Sequence, residues 1–152
     1  MKTLRSLRDK QEVLQRVQAI RPNSERRWGR MTPHQMLCHL SDSYRMFMGV
    51  RPVKPEAVPY PRSLMKFVAI WAPIPWPHGF KAAPELDQEK GGTPPLQFEA
   101  DRRDLCNLID RFTRRPIDFE YQPHPHFGQM SETAWMRLGY LHADHHLRQF
   151  GA

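Results

Sequence analysis

The run Tyr140-Leu141-His142-Ala143-Asp144-His145-His146-Leu147-Arg148-Gln149-Phe150-Gly151 concentrates side chains that can bind a metal. His142 and His146 stand four residues apart. On a helix that spacing stacks both imidazoles on one face, close enough to share one ion. His142 and His145 stand three apart, and a helix permits that pairing as well. The apolar stripe of the segment, Trp135, Leu138 and Leu141, centres near His142 and leaves His145 and His146 equal candidates for the second position. Asp144 falls on a different face from His142, at the surface or beside a ligand. A solvated polar face at a frayed helix end would use the same residues and hold no metal.

Further candidates lie elsewhere. His39 belongs to the run Thr32-Pro33-His34-Gln35-Met36-Leu37-Cys38-His39-Leu40, beside the stripe positions Met36 and Leu40, so it looks toward the core or its rim. A lone histidine there is more often a hydrogen-bonded core residue than a ligand. Asp42, three residues on, reaches the same region and is a candidate to serve the chemistry or to accept an imidazole N–H. His34 falls in the first turn and is expected to be exposed. Cys38 points roughly 100° away from His39 on a helix, so the two do not serve one ion together. In His124-Pro125-His126-Phe127-Gly128 a stiff turn carries two more imidazoles. His124 is the candidate acid or base, and His126 is the more structural of the pair.

These side chains need helices to position them, and the pattern supplies them. Ser6 to Ile20 reads as a first helix, capped by Ser6, with Leu7, Val13, Leu14, Val17 and Ile20 on its buried side. Thr32 at N-cap and Pro33 at N1 open a second, running to about Gly49, with Met36, Leu37, Leu40, Tyr44 and Phe47 or Met48 buried. Leu64 to Ala72 is a short apolar helix that stops before Pro73. Gln97 to Arg114 carries Phe98, Leu105, Leu108, Ile109 and Phe112, and Pro116 ends it. Ile117 to Gln122 reads as extended. Ser131 caps the last helix, which continues to Phe150. Between these elements prolines dominate 52–95; a loop that long in a small domain usually has a job, such as covering a site, and a loose surface excursion would use the same residues. Four substantial helices, a short fifth and almost no strand pattern predict an all-α, up-down helical bundle, in which metal sites are built from facing helices.

The 152 residues suit one domain, 1–152, with a sizeable core; 4 Trp and 8 Phe provide large groups to bury. No apolar run is long enough to cross a bilayer, and the N-terminus lacks the apolar stretch of a secretory signal, so the expected location is the cytoplasm and the expectation is no membrane partner. Cys38 and Cys106 do not form a disulfide framework. The formal charge of +7 is spread over many arginines that alternate with Asp and Glu, as on solvated helix faces, which argues against nucleic acid as a partner.

The stretch Thr32–Leu40 resembles the TPxxLLxHL segment of DinB-like (YfiT-like) four-helix-bundle proteins, and His142–Gln149 resembles their C-terminal HxxxH followed by Gln. His124–Gly128, Trp135 and the ending His145-His146-Leu147-Arg148-Gln149-Phe150-Gly151 are similar to a sub-branch with HPxFG and HHLRQFG motifs. The resemblance covers nearly the whole chain, but the proline-rich 52–95 departs from it. It implies a four-helix bundle of DinB/YfiT type, one divalent metal held by His39, His142 and His146, an open coordination position and a homodimer. It breaks the tie at the last helix in favour of His146 and leaves His145 at the pocket wall. Relatives of that kind include bacillithiol- or mycothiol-dependent transferases, a maleylpyruvate isomerase and a metal-dependent hydrolase. Three nitrogens and an open position suit zinc or nickel, with iron as a third candidate. Two functions follow. One is a metal-dependent enzyme, thiol S-transferase-like or hydrolase-like, acting on a small molecule with a low-molecular-weight thiol as possible partner. In it His124 and Asp42 would serve the chemistry. The other is a non-catalytic metal-binding stress or small-ligand-binding protein.

Overall fold

Capping side chains set the helix starts in a computed structural model that describes residues 1–55, 59 and 61–152. Helix α1 spans Leu7–Ala19, and the Ser6 hydroxyl accepts from Asp9 N–H. Helix α2 spans Pro33–Phe47; Thr32 and Gln35 form a reciprocal capping box and Pro33 follows the cap. Helix α3, Arg62–Trp71, starts without a side-chain cap and stops before Pro73. Helix α4 spans Phe98–Thr113; Asp101 in its first turn accepts from the amides of Leu96 and Gln97. Helix α5, Glu132–Gln149, is opened by Ser131, which accepts from Ala134 N–H. A single 3-10 turn, Pro84–Leu86, lies in the long connection between α3 and α4. The described residues contain no strand, only an isolated bridge between His124 and Gly128. The expected extended stretch at 117–122 therefore has no ladder partner. The protein is all-α. Among the described residues no helix is long and apolar enough to cross a membrane. Residues 56–58 and 60 of the proline-rich connection lie outside the described residues.

Helices α1, α4, α2 and α5 pack in a closed circuit, each against the next, and α3 lies on α5. The centre is aromatic. Tyr44 and Phe47 of α2 meet Phe112 of α4, and Phe47 meets Trp135 of α5, with ring centroids 5.2–5.8 Å apart. Such edge-on and tilted pairs add to the area they bury. The buried Tyr44 hydroxyl donates to Gly139 O at 2.9 Å. A β-carbon at Gly139 would stand 3.0 Å from Leu4 Cδ1 and 3.1 Å from Phe112 Cε1, both fully buried, so the close approach of α5 to this cluster requires glycine.

One expected core residue is displaced. Leu7 is 76% exposed and Leu4, at 1%, takes its place, because the chain before α1 folds back so that Leu4 N–H donates to Met136 O. Helix α3 begins at Arg62, before the expected Leu64, and buries only Ile70. Leu64 and Phe67 on its outer side are exposed.

Candidate metal centre

His39 comes from the middle of α2; His142 and His146 come from the last two turns of α5. Their ring centroids lie 4.7–5.1 Å apart, and one donor nitrogen from each lies within 4.8 Å of the others. His39 Nε2 and His142 Nε2 are 3.2 Å apart. Two nitrogens at zinc-ligand distance in a tetrahedral shell are separated by about 3.3 Å.

The remaining ring nitrogens decide which atoms are free. His39 Nδ1 lies 2.8 Å from the Leu86 carbonyl, which can only accept, so the ring hydrogen sits on Nδ1 and Nε2 keeps its lone pair. His146 Nδ1 lies 3.0 Å from Gln149 Oε1. The Gln149 amide faces the Trp28 carbonyl at 2.8 Å and must present its NH₂ there, which leaves Oε1 as acceptor for His146 Nδ1–H. His146 Nε2 is therefore free as well. Burial lowers the pKa of His39, and lowers those of His142 and His146 well below the ordinary value, with the neighbouring imidazoles adding to the shift. All three rings are neutral at physiological pH, the form in which imidazole binds a metal. The donor set fits a divalent ion.

The supports around this set are local and identifiable. The 3-10 turn that presents Leu86 O is tied to α2 through Asp42. Its carboxylate, fully buried, accepts from Thr93 N and Oγ1 at 2.7 Å each and from Gln88 Nε2 at 3.1 Å, and it pairs with Arg45 and Arg51. Arg51 also donates to Glu85 O and Thr93 Oγ1. Asp42 is thus oriented toward the 84–93 loop, and Asp144 is engaged by Arg16 at 2.7 Å. The imidazole N–H partners are a backbone carbonyl and Gln149, not these two carboxylates. At the other end, Arg27 N–H donates to Gln149 O, and a β-carbon at Gly29 (φ +74°) would fall 2.6 Å from Gln149 Nε2. The 27–29 segment therefore seats Gln149 under His146.

His142 and His146 line a cavity of about 810 Å³ between the α2–α5 wall, α3 and the 74–90 connection. Its walls are mainly apolar, with Phe47, Leu138, Val68, Trp76 and Phe80 among them. His145 also faces it but stands outside the triad, its ring packed among Trp28, Trp76 and His78. His78 stacks on Trp28 at 4.2 Å. His124 and His126 line the same cavity from the loop before α5. His124 is buried, its pKa is pushed down to about 3 by that burial and by His126, and its Nδ1 accepts the amides of His126 and Phe127.

Two features carry no signal in a linear reading. Leu86 contributes a carbonyl, which residue type does not reveal, and Trp28, Trp76 and His78 reach the site from loops. His34, expected to be exposed, is half-buried and pairs with Asp101 at 2.6 Å; with Cys38 these form a second group of possible ligands. There Asp101 already caps α4, and the Cys38 thiol is pushed up to about 12 by burial and the nearby Asp101 and Asp42.

The chain belongs to the family described as protein of unknown function DUF1569, whose model matches residues 1–152. No curated protein and no solved structure matches it.

Proposed function

We propose that this is a divalent-metal protein of DinB-like build, in which His39, His142 and His146 hold the ion and a further coordination position opens on the cavity. The likeness is supported by one histidine from the second helix and two, four apart, from the last, set on four helices that enclose one core. Zinc or nickel is the ion, with iron as the third candidate, since three neutral nitrogens suit each of them. The observation that carries the reading is the 3.2 Å approach of His39 Nε2 and His142 Nε2, with the opposite nitrogens of His39 and His146 committed to Leu86 O and Gln149.

We read the activity as metal-dependent chemistry on a small molecule, transfer of a low-molecular-weight thiol or hydrolysis. When bound, a 2+ ion with three uncharged ligands supplies positive charge that acidifies a thiol or water reaching the open position. The chain's own residues orient and seclude. Leu86 O and Gln149 fix the rings, and the apolar walls keep competing water out. A purely structural site is argued against by the cavity, which reaches His142 and His146 instead of being sealed over them.

Cobalt substitution tests this. The Co(II)-loaded protein is expected to show a four-coordinate visible spectrum that shifts on addition of a small thiol such as 2-mercaptoethanol. A bound cobalt whose spectrum no thiol or azide perturbs would make the site structural. Failure to bind any metal would overturn the whole reading.

A further inference from the structure

His124 is held from several sides. Its backbone N–H and C=O are paired with Gly128 O and N, both at 2.8 Å. Its ring stacks on Phe127 with centroids 4.3 Å apart and planes 14° from parallel, and Trp135 lies behind at 5.7 Å. Its Nδ1 accepts two backbone amides, from His126 at 3.1 Å and Phe127 at 3.3 Å. A ring nitrogen that accepts two N–H groups carries no hydrogen, so the hydrogen of the neutral ring is on Nε2. Among the described residues no hydrogen bond ends at Nε2, and His124 lines the cavity.

We propose that the cavity takes a ligand with an apolar, ring-sized body and one acceptor oxygen, a carbonyl or carboxylate, and that His124 Nε2–H is the fixed, uncharged donor to that oxygen. The apolar walls supply the site for the body: Phe47, Leu138, Val68, Trp76 and Phe80. A cavity lined mainly by hydrophobic side chains with a few convergent polar groups selects a ligand of that pattern. His124 neither takes a proton, because Nδ1 is already occupied by two donors, nor gives one up, because a neutral imidazole N–H is a very weak acid. Its burial keeps the ring from becoming an imidazolium at neutral pH. It is a positioned hydrogen-bond donor of the kind that polarises a carbonyl. This ligand class rests on the metal reading only for a second anchor at the triad; the donor role of His124 stands without it.

Nitrogen-15 NMR of the histidine rings and probe binding test it together. In the wild-type protein at pH 7, with or without metal, His124 is expected as the Nε2–H tautomer, and benzoate should shift that proton downfield. Benzohydroxamate should bind the zinc-loaded protein at least ~10-fold more tightly than acetohydroxamate, and His124→Phe should weaken benzoate by ~10-fold, the worth of one hydrogen bond. Imidazole binding to the Co(II) form, which needs no acceptor contact, should be unchanged in the same variant. An Nδ1–H tautomer or a cationic ring at pH 7 would overturn the proposal, as would a benzohydroxamate affinity no better than that of acetohydroxamate. A protein that binds no metal but shows the Nε2–H tautomer and the benzoate shift would retain this inference and refute the metal reading alone.

Discussion

At the scale of single residues, the three histidines that meet do so through constraints on their far sides. His39 is turned by a carbonyl, His146 by Gln149, and Gln149 by Trp28 O. His145 has no such tether among the described residues and is wedged among aromatic rings facing the cavity. We therefore expect His39→Ala, His142→Ala and His146→Ala each to abolish stoichiometric metal binding and His145→Ala to retain it, measured as metal per chain after gel filtration. Loss in His145→Ala with retention in His146→Ala would mean that the i, i+3 pair is used instead. Spacing alone could put His142 and either neighbour on one face of a helix, and no more. What separates the two in the structure is the tether to Gln149, three residues after His146 and four after His145. Leu86 O was illegible for a different reason: backbone acceptors leave no mark on residue type.

At the scale of elements, the site depends on a loop being nailed to a helix. Asp42 is the nail: its buried carboxylate accepts from the Thr93 amide and hydroxyl, Gln88 and Arg45, and pairs with Arg51. Removing it takes away the carboxylate that faces Arg51 and one of the two that hold Arg45, Asp104 being the other, and frees the 84–93 segment that presents Leu86 O to His39. Removing a buried acceptor and leaving its donors without a partner costs roughly 1–3 kcal/mol. Asp42→Ala should lower the midpoint of urea unfolding accordingly and weaken metal binding at least tenfold while leaving helical circular dichroism unchanged. Full metal affinity in that variant would show that the loop does not position His39. The helices themselves were legible: Thr32-Pro33 and Ser131 mark their starts as caps, and the stripes at Met36, Leu40 and Tyr44 and at Leu105, Ile109 and Phe112 are buried. The 72–97 connection was legible only as proline-rich. Its folded path depends on contacts such as Arg51 to Glu85 O, and Trp76 Nε1 to Ala69 O, between residues with no periodic relation.

At the scale of the whole molecule, α3 stands apart, packed on α5 with its other side open. Leu64 and Phe67 on that side are 57% and 60% exposed. Exposed apolar side chains side by side on one helix face suit an association surface. We propose that two copies pair through it. Light scattering at high micromolar concentration should give the mass of a dimer, and Phe67→Glu should give the 18.0 kDa monomer with metal content intact. A wild-type monomer at that concentration contradicts the pairing.

The account turns on which side chains surround the ion, and X-ray absorption at the metal edge of the zinc-loaded protein reads that directly. The predicted shell is three imidazole nitrogens at about 2.0–2.1 Å and one further light atom, four neighbours in all. A sulfur neighbour at about 2.3 Å would place the metal at the His34, Cys38 and Asp101 group instead, and a six-coordinate oxygen shell would mean that the triad holds no ion; either result contradicts the central claim.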